Sequence, residues 1–207
     1  MADVGQLWLG AEPVLLASTS RTRRALLESC GIPVEARAPG LDERTVEAGL
    51  GRSVHPDELA SELARRKAEL VAASFGSRIV IGADQVLDLD GESLGKPGDP
   101  DGARRQLARL AGRTHRLHSA VAIFVGGALH RVAVETASLT MRDLDAATIA
   151  RYVDAAGEAA CRSAGGYEIE GLGIHLFSRV DGEHSTILGL PLLPVLASLR
   201  ELGCLAL

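Results

Sequence analysis

Hydroxyls, carboxylates and cations recur in this chain at places where a strand stops or a helix starts. The apolar run Val14-Leu15-Leu16-Ala17 ends at Ser18-Thr19-Ser20, and a helical pattern carrying Arg21, Arg23 and Arg24 follows at once. A helix start presents unpaired N–H groups and the positive end of its dipole, so hydroxyls and arginines there make a seat for an anion, phosphate above all. Asp42 and Glu43 form an acidic pair near the end of a short strand. Asp84 follows the apolar run Ile79 to Ala83, Lys67 belongs to a helical pattern, and Lys96 is held between Gly95 and Pro97. With Arg23, Arg24, Lys67 and Lys96 as phosphate ligands, and Glu43 and Asp84 as metal ligands or bases, the combination fits chemistry on a metal-bound polyphosphate. Carboxylates hold Mg²⁺ through oxygen, cations neutralise charge growing on a leaving pyrophosphate, and one carboxylate can activate water. On spacing alone each of these residues is equally a solvated surface charge.

The elements that must position them are legible from periodicity. Val14 to Ala17 reads as a strand. A short helix begins near Thr22, turns Leu26, Leu27 and Cys30 to one face and ends at Gly31 and Pro33. Val34 to Ala38 is a second strand, and Pro39 to Pro56 is an unusually long connection. A strong helix is expected from Asp57 to Ser74, with Leu59, Leu63, Leu70 and Val71 inward and Arg65, Arg66 and Lys67 on the wet side. Ile79 to Ala83 is a buried strand that delivers Asp84 and Gln85 at its carboxyl end, followed by a hairpin signal from Val86 to Gly91. Asp99-Pro100 opens a helix with Ala103, Leu107 and Leu110 inward. Alternation over Thr114 to Val125 and Leu129 to Thr140, joined by Gly126-Gly127, gives a long antiparallel hairpin. Leu144 to Ala155 is a helix burying Ile149, Tyr152 and Val153. Gly165, Gly166, Gly171 and Gly173 crowd the next segment, which implies sharp turning or backbone pressed against a neighbour. A turn at Asp181-Gly182 and an amphipathic helix from Leu193 to Leu202 close the chain. Early alternation of strand and helix with a late hairpin predicts an α/β fold with a mixed sheet.

Composition narrows the function. At 207 residues the chain is one domain or two small lobes, and its 46% hydrophobic content with only 3% aromatics calls for an aliphatic core. A formal charge of −5 speaks against a general nucleic-acid surface, so any phosphate site is local. Cys30, Cys161 and Cys204 lack disulfide or zinc spacing, and the apolar segment near the start is too short for a signal or membrane helix, leaving the cytoplasm as the expected compartment. Gly91 to Pro97 is not a P-loop, because it has one residue too few between the glycines and a Pro where Ser or Thr is needed. His115 and His118, three apart on a strand, point to opposite faces and do not make a metal pair; there is no HExxH and no GxSxG.

Taken in order, Ala17-Ser18-Thr19-Ser20 with Arg23-Arg24-Ala25-Leu26-Leu27, Asp42-Glu43, Arg66-Lys67-Ala68, Gly82-Ala83-Asp84-Gln85-Val86, Gly95-Lys96-Pro97, Leu110 to His115, Ala164-Gly165-Gly166-Tyr167, Gly171-Leu172-Gly173 and Gly189-Leu190-Pro191 resemble the Maf family of nucleoside triphosphate pyrophosphatases. The likeness runs from about Leu15 to Leu202. Each motif is weak alone, and jointly they are specific. The resemblance implies a Maf/Ham1-like α/β fold over residues 1–207 as a single domain, with a mixed twisted sheet flanked by helices and two lobes around a central cleft. It also implies a divalent metal, Mg²⁺ or Mn²⁺, and hydrolysis of a nucleotide between its α and β phosphates. The partner is then a nucleoside triphosphate rather than nucleic acid or membrane, and a homodimer is a family-level expectation.

Carried over to this chain, Asp84 would take the proton of the attacking water and touch the metal, with Glu43 as second metal carboxylate. Lys67 and Lys96 would be catalytic cations beside the reacting phosphates, and Ser18, Arg23 and Arg24 would bind substrate. Thr22, Gln85 and Glu170 stand where family members tune base choice. A carboxylate such as Glu170 accepts two hydrogen bonds from a guanine edge, whereas thymine and uracil offer one donor flanked by repelling carbonyls. The Gln85 and Glu170 pair resembles the branch acting on 7-methyl-GTP as a house-cleaning activity. The alternatives are a dTTP/UTP or broad-specificity pyrophosphatase and, in another class, a nucleotide-binding regulator of cell division. Two positions depart from the family pattern: Arg21 replaces the usual Pro, and Thr22 stands where the 7-methyl-GTP branch has an aromatic residue.

Overall fold

The computed structural model describes residues 7–51 and 54–207. Strands β1 (Val14–Ala17), β2 (Val34–Ala36), β3 (Ile79–Leu89), β4 (Glu92–Leu94), β5 (Thr114–Val125), β6 (Ala128–Met141) and β7 (Phe177–Asp181) form one mixed sheet in the order β2-β1-β3-β5-β6-β7, with β4 beside β3. Helices α1 (Arg21–Ser29), α2 (Glu43–Leu50), α3 (Pro56–Ala72), α4 (Pro100–Leu110), α5 (Ala146–Ala156), α6 (Glu158–Arg162), α7 (His184–Ile187) and α8 (Leu192–Glu201) flank it.

The long strand β3 organises the molecule. Its first half pairs in parallel with β1, from Leu15 opposite Val80 to Ala17 opposite Gly82, and antiparallel with β5 along its whole length. There the sheet is covered on one face by α3 and on the other by α1 and α8, so nearly every side chain is apolar and buried. Its second half leaves β1 behind and packs Leu87 and Leu89 against α4, α5 and the glycine-rich segment. These two packing environments are the two lobes. Asp84 and Gln85 lie at the change from one to the other, just past the last β1 pairing. They therefore stand inside a continuous strand rather than at a strand end followed by a separate hairpin, because β5 goes on pairing where β1 stops.

The structure departs from expectation at four further points. The stretch from Pro39 to Pro56 contains helix α2, whose N-cap Asp42 accepts from the backbone N–H groups of Arg44 and Thr45; positions 52 and 53 lie outside the described residues. The buried stripe of α3 runs through Leu59, Leu63, Lys67 and Val71 with Ala60, Ala64 and Ala68, while Leu70 is exposed. Lys67 is thus on the packed side of its helix, not the wet one. The second strand ends at Ala36, short of Ala38.

Small residues set the height of α3 above the sheet. A Cβ at Gly82 would overlap the Ala64 carbonyl oxygen and stand 2.7 Å from the Ala68 backbone nitrogen, so only glycine lets the helix lie this close. Close approach at Gly82 is what brings Lys67, one residue before Ala68, within reach of Asp84.

Candidate active site

The cleft between the lobes has a volume of about 470 Å³, within the range of small-molecule sites. Ser18, Thr19, Ser20, Thr22 and Arg23 line one wall, Glu43, Lys67, Gln85 and Lys96 line the floor, and residues 162–164 with 167–170 line the other wall. A larger hollow of about 700 Å³ lies between α2 and the β3–β4 turn. Its charged rim of Arg44, Glu47, Asp90 and Glu92 is exposed and holds none of the groups gathered in the cleft.

At the floor, Lys67 bridges two carboxylates. Its Nζ donates to Asp84 Oδ1 and stands 2.5 Å from Glu43 Oε1. The ammonium and Asp84 are both buried, whereas Glu43 faces the cleft with about half its side chain exposed. Desolvation raises the Asp84 pKa above the ordinary carboxylate value, and the charges of Lys67 and Arg23 work against that rise without cancelling it. Partial burial disfavours ionised Glu43, but its bond to Lys67 and the charges of Lys67, Lys96 and Arg23 outweigh burial and hold it below the usual range. Two carboxylates with opposite shifts on one lysine suit divided roles, one accepting a proton and one staying ionised.

Arg23 is braced from two elements. Its Nε donates to the Gly189 carbonyl at 2.8 Å and its Nη1 to the Ala83 carbonyl at 2.8 Å, so the guanidinium is fixed beside the strand that carries Asp84. Burial lowers its pKa, and the negative charges of Asp84 and Glu43 oppose that. Ser20 caps α1 by accepting from the Arg23 N–H at 3.3 Å, and the buried Ser18 accepts from the Ser20 N–H at 3.2 Å. The loop is thus preorganised by its own hydroxyls, which offsets the absence of a proline at Arg21.

A model of the Maf-like protein family matches residues 13–202. The chain belongs to that family. It is 49% identical over 201 residues to the nucleoside triphosphate pyrophosphatase of Nitrobacter winogradskyi, covering 97% of this chain and 99% of that protein. It is 45% identical over 193 residues to the 7-methyl-GTP pyrophosphatase of Brucella abortus, covering 93% of this chain and 97% of that one. The Staphylococcus aureus Ham1 protein structure aligns at 16% identity and a TM-score of 0.43, covering 64% of this chain and 73% of that chain.

In this Maf-like chain the structure gathers Ser18, Thr22, Arg23, Glu43, Lys67, Gln85, Lys96 and Glu170 around one cleft, with Asp84 beneath it on Lys67. Arg24 is elsewhere: it is exposed on the outer side of α1 and pairs with Glu28 at 2.7 Å. Sequence reasoning passed over several lining groups. Glu168, Ser163 and Arg162 join the wall that carries Glu170, and the Tyr167 hydroxyl meets His115 Nε2 at 2.6 Å behind it. His118 is on the opposite face of the strand, 3.1 Å from Asp88. The glycine-rich pattern was the available signal for that wall. Gly165 adopts φ 79°, and a Cβ there would stand 2.7 Å from the Tyr167 ring, so the glycine is what lets the tyrosine fold back into the core.

Proposed function

We propose that this protein hydrolyses a nucleoside triphosphate between its α and β phosphates, releasing a nucleoside monophosphate and pyrophosphate, with 7-methyl-GTP as substrate. The observation that carries this reading is the buried Lys67 holding Asp84 and Glu43 together on the floor of a cleft that also holds Ser18, Arg23 and Lys96. Water attacks the α phosphorus, its proton passes to the Asp84 carboxylate, and the bond to the bridging oxygen breaks as pyrophosphate leaves. A raised pKa suits Asp84 to that acceptance. Arg23, Lys67 and Lys96 stabilise the charge on the phosphates, and Ser18 with the start of α1 orients them. Arg24 stands outside this set.

A divalent metal fits the donors present. Asp84 and Glu43 each give one oxygen to Lys67 and keep a second, and hard carboxylate oxygens completed by phosphate and water are what Mg²⁺ or Mn²⁺ takes. Among the described residues no cluster of three or more His, Cys, Asp or Glu side chains is placed to hold an ion. Such an ion would neutralise charge developing on the leaving pyrophosphate.

The base reading rests on the acceptor character of the far wall. Glu170 and Glu168 both line it; of the donors beside them, Arg162 pairs with Glu158 at 2.7 Å and the Ser163 hydroxyl donates to Glu168 at 3.2 Å, and Gln85 uses its amide nitrogen elsewhere, so the groups left for a base are mainly acceptors. Guanine presents N1–H and an amino group to such a wall, and a methylated, cationic ring is held by two carboxylates where Thr22 supplies no aromatic face. The activity is proposed as the removal of a non-standard nucleotide by one Maf-like domain spanning residues 1–207, consistent with the family match over 13–202. Residues 1–6 lie outside the described ones. No helix of the described residues is long and apolar enough to cross a membrane.

The test is a panel of canonical and methylated triphosphates with Mg²⁺ or Mn²⁺ and a pyrophosphate readout. We expect 7-methyl-GTP to rank first. No pyrophosphate from any member would sink the enzyme reading, and a lead for dTTP and UTP would replace the substrate with a pyrimidine.

A further inference from the structure

Beneath the base side of the cleft lies a polar network that the reaction itself does not use. Ser119 of β5 is completely buried and stands opposite Gln85 of β3 in the sheet. Its Oγ is 2.6 Å from the Thr186 carbonyl oxygen, which can only accept, so the single hydroxyl proton is committed there. The oxygen of Ser119 is then an acceptor toward Gln85, 2.9 Å away, and the Gln85 atom facing it must be the amide nitrogen. The same nitrogen reaches the Thr186 carbonyl at 3.1 Å and the Ile187 carbonyl at 3.0 Å. Two amide protons are shared among three oxygens, and turning the amide over would set Oε1 against all of them.

We propose that the buried acceptors behind Gln85, the Ser119 hydroxyl oxygen with the Thr186 and Ile187 carbonyls, set the polarity of the base site: by fixing the Gln85 amide nitrogen inward, they oblige Gln85 to present Oε1, an acceptor, to the nucleobase. Ser119 makes no contact with substrate. It acts through Gln85, and the substrate class it favours is a purine whose pairing edge carries donors. Orientation of an amide is a two-state choice, and the Ser119 oxygen acts on it together with two carbonyls that can only accept, so this buried set decides whether Gln85 offers an acceptor or a donor at the same place. The segment that receives these bonds is itself held. Glu183 caps α7 by accepting from the Thr186 N–H at 2.9 Å, Ser185 Oγ accepts from the Leu192 N–H at 3.0 Å, and Arg23 donates to Gly189. Base reading and phosphate binding thus share one strut, residues 183–192.

This inference rests on the pyrophosphatase reading above, and the experiment separates the two. Steady-state kcat/KM is measured with Mg²⁺ for GTP, 7-methyl-GTP and UTP on the full chain and on Ser119→Ala, Gln85→Ala and the double variant, with thermal melts as a check on folding. Ser119→Ala leaves the two carbonyls on the amide and is expected to reduce the purine-to-UTP ratio by roughly two- to tenfold, the range for one buried hydrogen bond, with the loss falling on KM. In the Gln85→Ala background the serine substitution is expected to leave the ratio where Gln85→Ala had put it, since there is no amide left to orient. A uniform fall for every nucleotide, or serine and glutamine effects that simply multiply, overturns the proposal while the enzyme reading stands. If Ser119→Ala does not fold, Ser119→Cys takes its place. Its weaker bonds should give a ratio between wild type and Gln85→Ala, and a ratio equal to wild type would overturn the proposal as well. If the wild-type chain turns over no triphosphate, it is the function that has failed, not the role of the serine.

Discussion

The two walls of the cleft are built by different means. The wall proposed to bind phosphate is carried by regular elements: β1 stops at Ala17, α1 starts at Arg21, and α3 lies on β3 at Gly82, so Arg23, Lys67 and Asp84 are braced from several directions and largely withdrawn from water. The wall proposed to read the base is irregular chain with glycines at 165, 166, 171 and 173, and its Glu168 and Glu170 are exposed. An aromatic anchor ties it to the core: Tyr167 packs edge-on against Phe177 at 4.8 Å between ring centroids and bonds His115. The contrast separates two tasks. Groups that stabilise a charged transition state gain from burial and rigid mounting, whereas groups that choose a base need only be held at the right edge of an adaptable segment.

The sharpest way to break this comparison is at the rigid wall. Asp84→Asn keeps shape and removes the proposed proton acceptor, so turnover is expected to fall by about 10² to 10⁴ while nucleotide binding stays measurable by calorimetry. Near-normal turnover would take Asp84 out of its role.

The anchor of the adaptable wall should be sensitive to acid. Burial holds the His115 imidazole down to about 4, against 6.5 for an ordinary histidine, so as the pH falls the unfolded chain takes up this proton first. The stabilising contribution is whole above pH 6.5 and is lost progressively between 6.5 and 4, reaching at most about 3 kcal/mol. Urea denaturation of wild type and His115→Gln at neutral pH and near pH 4.5 measures it. Equal pH slopes for the two proteins would show that His115 is not the titrating anchor.

The smallest effect is expected at the exposed carboxylate. Glu170→Gln should move the preference between guanine and pyrimidine triphosphates by roughly tenfold, since a hydrogen bond to a charged group is exchanged for one to a neutral amide. An unchanged ranking would mean that Glu170 does not read the base.

Much of the fold was legible because its signals are local. The strand at Val14, the Asp99-Pro100 helix start and the hairpin through Gly126-Gly127 each carry their own periodicity or turn chemistry, and all three stand where expected. Helix α2 was missed because its short amphipathic pattern is weak beside the Gly and Pro around it. Its signal was Asp42 in N-cap position, with Val46 and Leu50 one helical turn apart. Hydrophobicity alone puts Leu70 inward, although the stripe that faces the sheet is spaced by fours from Leu59 and leaves it outside. For the site, the residue types were legible and their neighbours were not. Asp84, Lys67 and Glu43 stand far apart in the chain, and nothing local says that one ammonium binds both carboxylates.

By itself, then, the sequence determined the family, the strands and most of the helices, and the set of hydroxyls, cations and carboxylates available for chemistry, since all of these follow from residue type and short-range spacing. It took the folded chain to show that Lys67 is buried, that Arg24 points away, and that Gln85 turns its amide nitrogen inward to Ser119 and two carbonyls. Those outcomes depend on how closely α3 lies on Gly82 and on which strand pairs with β3 beyond Ala83, distances across the sheet that no local pattern encodes.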